Sequence, residues 1–251
     1  MPFASPLLVV PCFNEAKRFD AGAFQALVTD CRLLLVDDGS TDETGAVLGA
    51  FAAAHGERVS VLTLARNSGK AEAVRQGMRE AIARGASETG YLDADLATPP
   101  DEALRLLGVL RSNPALSLVM GARVARMGAR IERSGVRHYL GRVFATGASM
   151  LLGLPIYDTQ CGAKWFRVNE TLAAALDEPF ESAWAFDVEL LARLLDGVHG
   201  VAPVAPAALH EEPLRAWRDV GASKVTAGGM VRAATDLARM SVLRGRRAAR
   251  R

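Results

Sequence analysis

The strongest constraint on the fold is a regular alternation of short apolar runs and helix-like segments over the first 120 residues. Strand-type runs stand at Leu7–Val10, Arg32–Val36, Val59–Leu64, Ser87–Leu92 and Leu116–Met120. Between them lie Ala16–Thr29, Thr41–Ala54, Lys70–Arg84 and Pro100–Arg111, all of helical length and composition. Ser40 or Thr41 is the expected N-cap of the second helix, with Asp42 and Glu43 in its first turn. Pro99 and Pro100 open the fourth helix, and Gly85 ends the third. The pattern predicts an α/β fold: a Rossmann-like, mostly parallel central sheet with helices on both faces, in three layers. Ligands of such sheets bind beyond the carboxyl ends of the strands.

The second half is less regular. Arg133–Leu152 reads as a long helix, Lys164–Arg167 as a strand, Ala185–Leu195 as a helix and Val201–Val204 as a short strand. Ala222–Leu243 reads as a helical segment weakened by Gly228-Gly229. No repeat or linker divides the chain, and 251 residues, half of them hydrophobic, suffice for one core. The expected organisation is one catalytic domain over residues 1–243, with 222–243 a candidate interfacial helix and 244–251 a basic tail. Cys12, Cys31 and Cys161 are odd in number and far apart, which fits neither a disulfide framework nor a zinc site and points to a reducing compartment. The N-terminus lacks a basic region and long apolar run of the signal-peptide kind, and no apolar run reaches the ~18 residues of a spanning helix. A cytoplasmic, soluble or peripheral protein is expected.

Net charge is +2, which argues against extensive nucleic-acid binding. The sum hides a segregation. Arg244, Arg246, Arg247, Arg250 and Arg251 crowd the last eight residues, and Arg123, Arg126, Arg130, Arg133, Arg137 and Arg142 form a second basic run opposed only by Glu132. Either can be a solvated surface; for the tail alone that is the better reading.

Three acidic clusters fall at predicted strand ends: Pro11-Cys12-Phe13-Asn14-Glu15, Asp37-Asp38-Gly39-Ser40-Thr41-Asp42, and Asp93-Ala94-Asp95. One Asp there is commonly a helix cap; three clusters on one edge exceed what capping needs. Asp93 and Asp95 are one residue apart on an extended segment, so their side chains point the same way. Such a pair suits Mg2+ or Mn2+, which share their ligands with substrate phosphates. D-x-D also occurs in aspartyl-nucleophile phosphatases, but after the first strand, whereas here it follows the fourth. There is no G-x-G-x-x-G after the first strand and no G-x-x-x-x-G-K-[ST], which argues against a dinucleotide oxidoreductase and a P-loop enzyme. Ser68-Gly69-Lys70 is only a fragment of the latter.

In order along the chain, Val9-Val10-Pro11-Cys12-Phe13-Asn14-Glu15, Leu35-Val36-Asp37-Asp38-Gly39-Ser40-Thr41-Asp42, Asn67-Ser68-Gly69-Lys70 and Asp93-Ala94-Asp95 resemble the motifs of glycosyltransferase family 2. Asp158-Thr159-Gln160-Cys161-Gly162-Ala163-Lys164-Trp165-Phe166 resembles the D-T-Q-C-G-x-K-x-F signature of dolichyl-phosphate β-glucosyltransferases, and Phe186-Asp187-Val188-Glu189-Leu190 their F-D-V-E-L segment. Arg218-Asp219-Val220-Gly221-Ala222-Ser223-Lys224 resembles the R-x-x-G-x-S-K element of polyprenyl-phosphate sugar transferases. The resemblance spans roughly residues 6–226. It departs from its relatives in lacking their N- or C-terminal membrane helices, and in Glu72, where a small residue is common.

The resemblance implies a GT-A fold and an inverting, metal-dependent hexosyltransferase. The donor is a nucleotide-diphosphate sugar, with UDP-glucose favoured, and the acceptor a polyprenyl or dolichyl phosphate at the inner face of the cytoplasmic membrane. By the same resemblance Pro11, Asn14, Glu15, Asp37 and Asp38 line the nucleoside pocket, with Lys70 beside the phosphates. Asp95 holds the metal, and Asp93 stands near the ribose or metal. An acceptor phosphate is already an anion and needs cations rather than a base; the candidates are Arg123, Arg142, Arg218 and Lys224, with Arg133 and Arg137 weaker. Asp158 positions the acceptor, or acts as base towards a hydroxyl acceptor, with Asp187 a second candidate. Gln160, Trp165 and Trp184 are sugar-pocket candidates, the alternative for either Trp being core packing. Alternatives are GDP-mannose as donor, a soluble hydroxyl acceptor, and a non-catalytic nucleotide-sugar-binding protein. A sugar nucleotidyltransferase would show a glycine-rich basic loop after the first strand, where this chain has Cys12-Phe13-Asn14-Glu15.

Overall fold

The computed structural model describes residues 5–132, 135–220, 235–241 and 244. Seven strands, β1 (Leu7–Cys12), β2 (Arg32–Asp37), β3 (Val59–Thr63), β4 (Glu88–Leu92), β5 (Leu118–Ala122), β7 (Ala163–Arg167) and β8 (Leu209–Pro213), form one sheet in the order β3-β2-β1-β4-β7-β5-β8. A short parallel pair, β6 (Arg130–Glu132) with β9 (Ala216–Arg218), lies apart from it. The helices are α1 (Ala21–Val28), α2 (Thr44–His55), α3 (Lys70–Ala83), α4 (Pro100–Ser112), α5 (Gly135–Leu152), α6 (Glu170–Ala175) and α7 (Phe186–Asp196).

Successive strand residues point to opposite faces, so each apolar strand feeds two cores. Leu7, Val9, Leu34 and Val36 pack on one face with Val74 and Met78 of α3 and Val188 and Leu191 of α7. Leu8, Val10, Leu33 and Leu35 pack on the other with Phe24 of α1, Leu48 of α2 and Leu106 of α4. Each such side chain contributes about 1.5–3 kcal/mol by leaving water. The expected three-layer α/β architecture is the one observed.

All sheet pairings are parallel except those of β7, which lies antiparallel between β4 and β5. Its insertion sets the geometry of the site. A parallel strand delivers the residues that follow it to the carboxyl edge; an antiparallel one delivers the residues that precede it. The 158–162 turn therefore stands at the same edge as the segments after β1, β2, β4 and β5.

The element boundaries correct three expectations. Ser40 and Thr41 are not helix caps: they bond to Asn14 and Asp37 in the edge loop, and α2 starts later, behind Glu43. The first helix begins at Ala21, not Ala16, with the Asp20 carboxylate accepting from the Ala23 N–H. Residues 201–204 form no strand; the strand is β8, whose sequence Leu-His-Glu-Glu-Pro lacks an apolar run because it is the sheet's outer edge. Most of the expected 222–243 helix lies outside the described residues, which are helical over 235–241.

The tight approach of β7 to β4 depends on Gly90, where an added Cβ would collide with the Lys164 carbonyl. Gly90→Ala is expected to cost about 3 kcal/mol or more in urea unfolding, since backbone cannot move aside as a side chain can. Gly108→Ala, in open space on α4, is expected to stabilise by about 0.5–1 kcal/mol in the same measurement through helix propensity. Equal effects of the two substitutions would contradict this account.

Candidate active site

The first wall of the site is the loop system after β1, β2 and β3. Cys12 and Asp37 are register partners at the ends of β1 and β2, and Pro11 sits half-buried just before. Asn14 takes a left-handed conformation at φ 54°, which Asn tolerates better than most residues. Its side-chain oxygen accepts from the Thr41 N–H at 2.9 Å, and its own N–H donates to Ser40 Oγ at 3.0 Å. The Glu15 N–H donates to Thr44 Oγ1 at 2.7 Å. These bonds tie the two acidic loops together. Asp37 is buried and accepts from the Ser40 N–H at 2.9 Å.

Asp38 is also buried, and its two oxygens accept from the N–H groups of Ser68 and Gly69, each at 2.8 Å. It thereby pins the loop that leads into α3. Gly39, at φ +63°, packs on the Arg66–Asn67 backbone with no room for a Cβ. The Asp38-Gly39 and Asn67-Ser68-Gly69 motifs, far apart in sequence, are one structural unit.

The second wall follows β4. Asp93 donates its N–H to the Gly162 carbonyl at 2.9 Å, and its carboxylate lies where a side chain on residue 162 would have to go. Lys70, the first residue of α3, places its ammonium 2.6 Å from Asp93 Oδ1. Asp95 accepts from the Ala97 N–H at 3.0 Å. Burial, then the neighbouring Asp93, push the Asp95 carboxyl above its ordinary range. Burial does the same to Glu15, partly offset by Arg18 at 2.8 Å. Glu15 Oε2 is buried with no hydrogen-bond partner, and the Asp95 charge adds to its shift. Glu15 and Asp95 thus face one field of excess negative charge.

The third wall is cationic. Arg123, directly after β5, grips Asp158 through Nε at 2.6 Å and Nη2 at 2.7 Å, and its N–H donates to Asp158 Oδ2 at 3.1 Å. The guanidinium also lies over the Trp217 ring, 5.3 Å from its centroid. Burial alone would raise the Asp158 carboxyl, but the Arg123 charge and hydrogen bonds hold it below its ordinary value. A carboxylate held so low is a poor proton acceptor and a good anchor for a guanidinium. Glu211 of β8 accepts from the N–H groups of Tyr157 and Asp158 and fixes that turn. Arg142 of α5 lies 3.9 Å over the Tyr157 ring and donates to the Tyr157 carbonyl at 3.1 Å. Gln160, half-buried, donates its N–H to Asp158 Oδ1 at 3.3 Å.

Asp187, in the first turn of α7, is buried and paired with Lys164 at 2.7 Å; Tyr91 donates its hydroxyl to the same oxygen. It holds β4, β7 and α7 together beneath the site through that one oxygen. Trp165 is a correction: it is fully buried, and its indole N–H donates to the Ala103 carbonyl, so it is core and not sugar pocket. Trp184 is 38% exposed and packs edge-on against Phe144 of α5. Arg218 ends β9 with an exposed side chain. Lys224 and Arg133 lie outside the described residues, as does the Arg137 side chain.

Sequence reasoning overlooked Glu211, Trp217, Tyr91 and the structural part of Lys164. Only Lys164 carried a signal, a cation flanked on both sides by apolar residues within a strand.

Asp158→Asn leaves the Arg123 guanidinium buried beside a neutral amide, at an expected cost of about 3–5 kcal/mol near neutral pH. The folded Asp158 carboxyl lies below its ordinary value of 3.8, so its contribution is complete above that value and is lost progressively below it, as pH falls through the folded value. The stability gap between wild type and variant, from urea unfolding across pH, should therefore narrow in acid. A gap constant down to about pH 3 would show that the pair is not the cause.

The family model described as "Glycosyl transferase family 2" matches residues 7–171. A dolichyl-phosphate beta-glucosyltransferase of Trichomonas vaginalis is 29% identical over 93% of this chain and 70% of its own length. A polyprenol monophosphomannose synthase of Mycolicibacterium smegmatis is 27% identical over 98% of this chain and 89% of its own. Among solved structures, a mannosyltransferase from Pyrobaculum calidifontis in complex with GDP-Man and Mn2+ superposes with a TM-score of 0.58 at 16% identity, covering 94% of this chain and 62% of that one. That likeness is one of fold, and the fold is GT-A.

Proposed function

Because this chain belongs to glycosyl transferase family 2, we propose that it transfers a hexose from a nucleotide-diphosphate sugar, UDP-glucose in preference to GDP-mannose, to a polyprenyl or dolichyl phosphate. The observation that carries the reading is a juxtaposition on one sheet edge. The Asp93–Asp95 carboxylates follow β4, the Arg123 and Arg142 guanidinium groups stand across β7 from them, and the 158–162 turn lies between. One wall suits a metal-bound diphosphate; the other suits a second phosphate. The relatives named for glucosyl and mannosyl transfer to lipid phosphates support the acceptor class. The D-T-Q-C-G turn favours glucose.

The donor wall also fits Mg2+ or Mn2+. Among the described residues no group of three or more His, Cys, Asp or Glu side chains forms a closed cage. Asp93 and Asp95 offer carboxylate oxygens alone, which suits a hard cation completing its shell with substrate oxygens. Gly162, having no Cβ, makes room for the Asp93 carboxylate at this edge. Bound there, the cation offsets charge on the departing diphosphate.

The chain's own residues do the rest. Asp38 holds the Ser68–Gly69 loop, and with it the start of α3, against the nucleotide wall that Pro11, Asn14, Glu15 and Asp37 complete. Asp158 fixes Arg123 so that its remaining N–H donors, with Arg142, Arg218 and Lys224, hold the acceptor phosphate. Gln160 and Trp184 face the sugar. A phosphate oxygen then attacks the anomeric carbon opposite the diphosphate; that C–O bond forms as the sugar–diphosphate bond breaks, with inversion. The nucleophile is already ionised, so no general base is required.

We place this reaction at a membrane surface, where the acceptor's hydrocarbon chain resides. Among the described residues no helix is long and apolar enough to cross a membrane. On α5, Tyr139, Val143 and Met150 are 73%, 74% and 80% exposed. At about 100° per residue they fall within a stripe about 40° wide, an apolar edge suited to an interface. Arg142 and Phe144 tie that helix to the site through Tyr157 and Trp184.

Radiolabelled UDP-glucose and GDP-mannose should be assayed separately with undecaprenyl phosphate and Mg2+ or Mn2+. A labelled lipid from UDP-glucose is expected, and product from neither donor overturns the reading. Asp95→Ala is expected to lower kcat at least ~100-fold by removing stabilisation of the leaving group; turnover near wild type removes Asp95 from the metal site. Val143→Glu with Met150→Glu is expected to abolish co-sedimentation with anionic vesicles while leaving turnover of a short, water-soluble prenyl phosphate intact. Unchanged sedimentation excludes the α5 stripe.

A further inference from the structure

Lys70 occupies an electrostatically awkward place. It is the first residue of a helix of 14, where the macrodipole favours anions, and Gly69 before it provides no side-chain cap. Its ammonium nevertheless turns onto Asp93 Oδ1 at 2.6 Å, 5.8 Å and 5.9 Å from the ring centroids of Tyr91 and Phe186. Local desolvation beside the Tyr91 and Phe186 rings opposes its charge, but Asp93 and Asp187 more than compensate. The side chain is 39% exposed, so it has room to leave.

We infer that Lys70 is a place-holding cation: its ammonium fills the cation position on Asp93 while the donor site is free, and gives it up when a divalent metal arrives with the nucleotide diphosphate. The inference rests on the metal reading of Asp93 and Asp95 given above. Three features carry it. The contact uses an oxygen of the very carboxylate that the metal needs. The ammonium also lies 5.8 Å and 5.9 Å from the Tyr91 and Phe186 ring centroids, so aromatic faces as well as the carboxylate hold it there. And the flexible stem starts at the N-terminus of α3, where the helix field favours an anion, so an ammonium displaced from Asp93 moves towards phosphate oxygens. Ammonium and divalent cation then compete for one carboxylate in the free protein and share the diphosphate in the complex. The consequence is ordered loading: metal binds weakly to the free protein and tightly once the diphosphate has drawn Lys70 away.

The test is Mn2+ binding to the full chain at neutral pH, followed by the paramagnetic resonance of free Mn2+, with and without UDP or GDP. Without nucleotide, Lys70→Gln should bind Mn2+ about tenfold more tightly than wild type, because a unit charge beside the metal is removed. Lys70→Arg, which keeps the charge, should remain close to wild type. With nucleotide present, the advantage of Lys70→Gln should vanish or reverse, since the diphosphate loses a cation. Thermal unfolding confirms that each variant is folded. If folded Lys70→Gln binds Mn2+ no more tightly than wild type while Asp95→Asn abolishes binding, the place-holder inference is overturned and the metal site stands. If Asp95→Asn binds Mn2+ as wild type does, the metal reading falls, and the inference with it.

Discussion

The antiparallel passage of β7 between β4 and β5 is the constraint on which the site depends. It needs Gly90, because no side chain fits between β4 and the Lys164 carbonyl. It needs Lys164 to find a counter-charge, because a strand buried on both faces otherwise strands an ammonium in the core. Asp187 meets that need from α7, and Tyr91 of β4 shares the same oxygen, so three elements are fixed by one buried cluster. Such a pair adds little net stability over an apolar substitute, yet leaving one partner alone costs about 3–5 kcal/mol. What it supplies is position: with β7 fixed, the 158–162 turn has one place to stand, between the carboxylates after β4 and the guanidinium after β5.

From that placement the electrostatics of the edge follow. Glu15, Asp93 and Asp95 repel one another, and two of them are held above their ordinary titration range. Across the turn, Asp158 is held below its own by Arg123. The same residue type thus stands in opposite environments across a single turn. The raised carboxylates are short of positive charge and suit a cation; the lowered one is satisfied and serves to aim a guanidinium. The difference turns on how far a cation offsets burial: Arg18 only partly offsets it at Glu15, whereas Arg123 more than offsets it at Asp158, and the motifs do not state this.

Much of the sheet was legible in the sequence, because parallel strands buried on both faces must be apolar throughout. Leu33, Leu34 and Leu35 leave little alternative to a central strand. The three acidic clusters were legible for the same reason: they interrupt apolar runs at their ends. The parts that were not legible depend on contacts between distant segments. The β8 strand carries charge on an edge, so periodicity does not mark it. Trp165 resembles a binding aromatic in sequence and is a core residue because β7 turns it toward α4. Nothing in Asp38-Gly39 says that its carboxylate will hold Ser68 and Gly69, or that residue 39 must be glycine to let the Arg66 backbone pass.

The near-neutral net charge takes on a different meaning once position is included. A chain at +2 has no long-range field to gather a polyanion, so the proposed recognition of phosphate rests on local charge. The edge separates a carboxylate wall from a guanidinium wall by the width of one inserted strand. Under the proposed function, two phosphate-bearing molecules would meet there without either wall cancelling the other, one at the carboxylates and one at the arginines. Within the first wall Lys70 keeps the balance in the absence of ligand. On the place-holder inference, moving that one ammonium off Asp93 would turn the ion pair into a cation site.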